Sequence, residues 1–434
     1  MDILRYSISV SAVLVLAMFY PIDGYQSTGI KRLKRLEKTI DSTLVERYLK
    51  LGSFKKSDEV NLWLCEDTKS VDSLMVVDKD FQSKMRKLFP NSSGYGIAVM
   101  DISNLNNPPK YAQLNENSGF QPGSVGKIAV ATAFFNELRN LCPEDWSVRQ
   151  RLLKNKVVKS GNWGLYDHHT IPVVNLENDK LVKRTVVFND QFSLYEWLDH
   201  MLSVSNNGAA SIVWREALLM HVFGDAYFGL TQEEADAYFN NADKSELTDI
   251  AINLVNQPLR NIGITHDEWR LGSFFTNGPD QYVGSKGGSI GTPKGGLMKF
   301  MVQLEQGCVI DEVSSLEIKK LLYMTDRRIR YAYSPQLDNA AVYFKSGSLY
   351  SCDQSKSTPC GKYMGNRYNY MNSIITVEHE DGTNYMVCLM SNILSKNSAG
   401  DHMYLASAID KTIRSINNTN HDSQAVTTDN SGNI

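Results

Sequence analysis

A serine hydroxyl is a poor nucleophile until a base takes its proton. The segment Ser124-Val125-Gly126-Lys127 sets a serine and a lysine at positions i and i+3. On a helix those positions share a face, so the amine reaches the hydroxyl. The apolar run IAVATAFFNEL that follows predicts such a helix over about 124–140. Its N-terminus puts a positive dipole end near Ser124, which favours developing negative charge. A lysine works as a base only after losing its charge, and burial with nearby positive charge makes that possible. Two more triplets carry suitable groups: Ser205-Asn206-Asn207 and Lys345-Ser346-Gly347. Lys345 can supply the positive field and attract an anionic substrate carboxylate.

Each pattern alone is weak. Ser53–Lys56 repeats the first, Lys159-Ser160-Gly161 the third, and Ser395-Lys396-Asn397 and Ser415-Ile416-Asn417 the second. Context separates them. Ser124 follows Pro122-Gly123 and opens an apolar helix, whereas Ser53 sits in a polar, basic stretch. Ser205 follows an amphipathic helix. Lys345 lies on a late strand just before a terminal hairpin. In that order the three resemble the S-x-x-K, S-x-N and K-[ST]-G set of penicillin-recognising serine enzymes, specifically the class A β-lactamase-like group. GYGIAVMDIS, FQPGSVGK and GTPKGGLMKFMVQLEQGCVID also resemble segments of that family, over roughly residues 76–416.

The resemblance implies that Ser124 attacks an amide or β-lactam carbonyl with Lys127 as general base. It implies that Ser205 relays a proton to the leaving nitrogen and that Asn207 holds the substrate amide or Lys127. Lys345 and Ser346 would bind the substrate carboxylate, with Gly347 completing their motif. The backbone N–H groups of Ser124 and Ser348 would form the oxyanion hole. The chain departs from the family in one place. Class A β-lactamases hydrolyse their acyl-enzyme with a glutamate in an E-x-x-x-N segment, and no Glu between 206 and 344 is followed four residues later by Asn. Glu268 and Asp280 are the nearest acids that could stand in. Acylation without efficient deacylation would make the chain a penicillin-binding peptidase on peptidoglycan; a non-catalytic scaffold on the same fold is a further reading.

The elements that must position these groups read as strands first, helices in the middle and strands last. Strands are expected at 94–103 and 110–117, and short strand-like pieces with turns over 150–190. A capping box at Ser193 and Glu196 opens a helix. Polar helices follow over 231–256, and another opens at Thr292-Pro293. A strand covers 341–350, and two more flank Asp381-Gly382 as a hairpin. A last helix covers about 402–415. The expected fold is α+β, an α/β sandwich of β-lactamase/transpeptidase type. Its antiparallel sheet comes from both chain ends, with an all-helical subdomain between. The long intervals between motifs point to added segments near 150–190 and 220–260 that reshape the cleft for a larger substrate.

The 434 residues carry 45 basic and 48 acidic side chains, with 42% apolar residues. This is ordinary globular usage, and it lacks the basic balance a nucleic-acid binder needs. The uncharged run 8–22 fits a signal peptide or a membrane anchor within residues 1–27, so the chain is expected in the periplasm or anchored facing it. Residues 28–75 are expected to form a basic helical linker, 76–416 the serine hydrolase domain, and 417–434 a disordered polar tail. Six cysteines allow fifteen full pairings. Cys352–Cys360, bracketing a polar loop, is the favoured local pair. His168-His169 reads as a loop feature, and no metal or organic cofactor is implied. The expected partner is a small molecule, a β-lactam or a cell-wall peptide.

Overall fold

Near-continuous apolar runs at both ends of the main domain meet in one five-stranded antiparallel sheet. Its strands are β1 (Tyr95–Asp101), β2 (Lys110–Leu114), β3 (Ala341–Ser351), β4 (Tyr368–Glu378) and β5 (Asn384–Asn392), in the order β2-β1-β5-β4-β3. The computed structural model describes residues 23–40, 55–90, 92–323 and 328–429. The apolar run 8–22 and Ser53 lie outside the described residues. Among those described, no helix is long and apolar enough to cross a membrane.

The strands read as runs rather than alternations because both sheet faces are covered. Side chains still alternate with the pleat. Met386, Cys388 and Met390 of β5 enter one core, and Tyr385, Val387 and Leu389 enter the other. The second core is closed by the C-terminal helix through Leu405, Ile409 and Ile413, and by the Lys79–Arg86 helix through Phe81 and Met85. The first is closed by the helical subdomain, built on the almost wholly buried Lys127–Leu141 helix. That helix packs against the Leu194–Leu202, Asn207–Phe223 and Lys244–Asn261 helices. The Ser193–Glu196 capping box is present as expected.

Three expectations change. The described part of the basic segment is docked on the domain rather than standing off as a linker. Ile30 and Leu33 join the core, and Arg32 makes a bidentate pair with Asp199 at 2.7 and 2.6 Å, both side chains buried. Farther along, Lys55 and Trp63 bond Glu378, whose carboxylate also pairs with the buried Lys319. The stripe of positive charge hid these anchors, because each basic residue taken alone reads as solvated. The stretch expected to hold only short strand-like pieces also contains a helix, Trp146–Asn155. Finally, the described part of the polar tail, 417–429, continues the last helix, Ser398–Asp429. No Pro or Gly interrupts residues 401–429, and extending a formed helix needs no new nucleus. Cys352 and Cys360 form the favoured disulfide.

Candidate active site

The first motif lies where a 3-10 turn, Gly123–Gly126, passes into the Lys127–Leu141 helix. Gly123 has φ +53, a left-handed conformation that glycine adopts without a Cβ penalty. The turn puts Ser124 Oγ 2.9 Å from Lys127 Nζ. Lys127 is fully buried, and burial drives its pKa down to about 7, against the opposing charge of Asp167 and with help from Arg330. Its other short contacts are to two carbonyl-type oxygens, the Ser205 backbone oxygen at 2.8 Å and Asn207 Oδ1 at 2.5 Å, with Ser205 Oγ farther off at 3.3 Å. A neutral amine has two N–H donors and one lone pair. The two carbonyls take the donors, which leaves the lone pair for the Ser124 hydroxyl.

Ser205 lies between two helices with φ 61, uncommon for a residue with a side chain. That twist turns both its carbonyl and its hydroxyl toward lysines. Its Oγ accepts from Lys345 Nζ at 2.8 Å and lies 3.3 Å from Lys127 Nζ. Asn206 caps the next helix, taking the Ala209 N–H at 2.7 Å, while its Nδ2 donates to His169 O at 2.8 Å. Lys345 and Ser346 sit on β3, in register with Ile374 and Ser373 of β4. Gly347 lets β3 approach the nucleophile turn: a Cβ there would lie 2.6 Å from Ser124 N. A Cβ on Gly123 would lie 3.2 Å from Ser348 N. The turn and strand that carry the Ser124 and Ser348 amides, the pair expected to form an oxyanion hole, are therefore in close contact. All eight expected site residues gather at one place.

A cavity of about 430 Å³ opens over this cluster. It shows which residues the motifs did not reveal. Arg330 donates to Ser346 Oγ and Ser348 Oγ, each at 2.8 Å, and its guanidinium packs over the Tyr363 ring at 4.9 Å. His168 and His169 also line it, so the inserted 150–190 segment does shape the cleft; nothing from 220–260 lines it. Behind His169, Asp167 accepts the Asn207 N–H at 2.5 Å. Burial pushes the Asp167 carboxyl up, but the His169 imidazole and the Asn207 N–H outweigh it and hold the carboxyl at about 2. Burial lowers the pKa of His169, against the pull of Asp167. Neither signal was available in sequence beyond a polar Asp-His-His stretch.

Glu268 and Asp280 do not stand in for the missing glutamate. Glu268 accepts the Thr265 N–H and packs against Gly295, Asp280 is exposed, and neither lines the cavity. The Phe275 ring lies 5.0 Å from Lys127 Nζ, and Thr276 is turned inward to Ser211. Among the described residues, no carboxylate lines the cavity.

No family model matches the chain, and no curated protein matches it. Solved structures do. The TLA-3 extended-spectrum β-lactamase is 13% identical with a TM-score of 0.50, covering 77% of this chain and 97% of its own. A β-lactamase from Sphaerobacter thermophilus DSM 20745 is 13% identical with a TM-score of 0.48, covering 77% and 96%. PBP-A is 12% identical with a TM-score of 0.49, covering 79% and 97%. The chain has a β-lactamase-like fold.

Proposed function

We propose that the chain is a serine hydrolase that forms an acyl-enzyme at Ser124 and releases it slowly. The observation that carries this reading is the 2.9 Å contact between Ser124 Oγ and a buried lysine whose remaining partners are acceptors. The Ser124 proton passes to Lys127 as Oγ attacks the carbonyl carbon. The Ser124 and Ser348 amides hold the oxyanion. Ser205, set between the two lysines, passes a proton to the leaving nitrogen as the C–N bond breaks, leaving an ester on Ser124.

Arg330, Lys345, Ser346 and Ser348 line one wall, which suits a substrate carboxylate beside the scissile amide. That chemistry fits a β-lactam or a cell-wall peptide. Among the described residues no acidic side chain lines the cavity to activate water, which favours penicillin-binding behaviour over fast β-lactam destruction. Export is part of the proposal. The apolar run 8–22 and the Cys352–Cys360 bridge support it, since disulfides persist in oxidising compartments.

Intact-protein mass after incubation with a penicillin, beside Ser124→Ala, tests the reading. The expected result is an adduct of the drug's mass that needs Ser124 and decays over hours. Rapid loss of the adduct would overturn slow release, and no adduct across a panel of β-lactams would overturn penicillin recognition.

A further inference from the structure

We propose that Asp167 is a positioning residue for the Ser124–Lys127 couple, acting through Asn207 and itself held by His169. The proposal rests on the acyl-enzyme reading for its catalytic meaning. Its structural content stands apart from it. Asp167 belongs to the segment inserted between the first two motifs, and its side chain is only 1% exposed. A buried carboxylate must be fully bonded to persist. Here Oδ2 takes the Asn207 N–H at 2.5 Å, and Oδ1 takes Asn207 Nδ2 at 3.2 Å and His169 Nδ1 at 2.7 Å.

The direction of these bonds matters. An ionised carboxylate only accepts. It therefore holds the NH2 end of the Asn207 amide on its own side and turns Oδ1 toward Lys127. The reversed amide would set its oxygen against the carboxylate and point a donor at the lysine's N–H. With Oδ1 fixed, the Lys127 lone pair is left for Ser124. The His169 ring, donating Nδ1–H to Asp167, is in the tautomer with Nε2 unprotonated. Its backbone oxygen is tied in turn to the Asn206 cap. A chain of four contacts thus runs from Ser124 through Lys127, Asn207 and Asp167 to His169.

The same carboxylate is the negative charge set against the positive groups around Lys127. Those groups are Arg330 and Lys345, which line the same cavity; the imidazoles of His168 and His169 lie beside Asp167. Removing the charge makes Lys127 lose its proton at lower pH. The test uses the full chain with lysine labelled at 13Cε, the Lys127 signal being assigned by its absence in Lys127→Met. In the parent protein the signal titrates near pH 7. In Asp167→Asn the midpoint falls by about one pH unit, and in Asp167→Glu it stays within a few tenths. Ser124 acylation by penicillin, measured across pH 5–10, shows an acid limb displaced equally in Asp167→Asn. Its plateau falls about tenfold in both variants, since a longer or neutral side chain no longer fixes the Asn207 amide.

An unchanged Lys127 midpoint in Asp167→Asn overturns the proposal, as does a lowered plateau with no displacement of the limb. A parent protein that fails to acylate overturns the proposed function instead, and the titration still decides the role of Asp167. Should Asp167→Asn not fold, a Lys127 midpoint displaced by a full unit in Asp167→Glu likewise overturns it.

Discussion

Gly347→Ala tests whether the close approach of β3 to the nucleophile turn builds the oxyanion hole. A methyl at this position would lie inside contact distance of Pro122 O, 2.6 Å from Ser124 N and 2.9 Å from Val125 N. Ordinary contact begins near 3.4 Å, so turn and strand must part by roughly 1 Å. All three neighbours are backbone, and no flexible side chain can give way. A misplacement of that size costs about a hundredfold in rate, and losing one oxyanion donor costs about 10²–10³. The second-order rate of Ser124 acylation, followed by intact mass, should therefore fall by about 10²–10³. Gly229→Ala, whose Cβ meets nothing within 4 Å, serves as the control and should leave the rate unchanged. A Gly347→Ala protein that folds and acylates within threefold of the parent would refute the reasoning, because the two amides would then not need this packing.

Three further outcomes are expected. On the proposed role of neutral Lys127 as the base, and with its pKa near 7, acylation should be about tenfold slower at pH 6 than on a plateau above pH 8, read from stopped-time mass spectra. Arg330→Ala should slow acylation by an anionic penicillin about 10–100-fold more than by a neutral ester probe, since only the anionic substrate loses a charge-assisted contact, while both feel the lost bonds to Ser346 and Ser348 and the higher Lys127 pKa. Arg32→Ala leaves Asp199 buried without its partner, a loss of about 3–5 kcal/mol. Calorimetry should show Tm lower by about 3–6 °C, with most of it regained in Arg32→Met combined with Asp199→Asn.

The local part of this site was readable in the chain. Ser124 and Lys127 lie one helical turn apart, so their meeting follows from helix geometry alone. Runs of apolar residues over 95–101 and 384–392 announced buried strands, and Asp381-Gly382 announced the hairpin joining the last two. The order of the three motifs, set beside their decoys, brought Ser205, Asn207 and Lys345 into the same proposal. The sequence also showed that the E-x-x-x-N glutamate is missing.

What the tertiary structure alone decided is what fills the space around that core. Asp167 and Asn207 are 40 positions apart and share no periodic pattern, so only the folded chain brings the carboxylate beneath the amide. Arg330 belongs to none of the motifs, yet it lines the cavity and joins Ser346 and Ser348. Glu268 and Asp280 were near enough in sequence to stand in for the glutamate, but their side chains point elsewhere. The anchoring of Arg32 on Asp199 was equally silent. Spacing along a chain fixes contacts within a helix or a hairpin, where geometry is repetitive. Contacts made by loops and long polar side chains depend on where separate elements come to rest, and burial, not residue type, then decides which charge becomes part of the site.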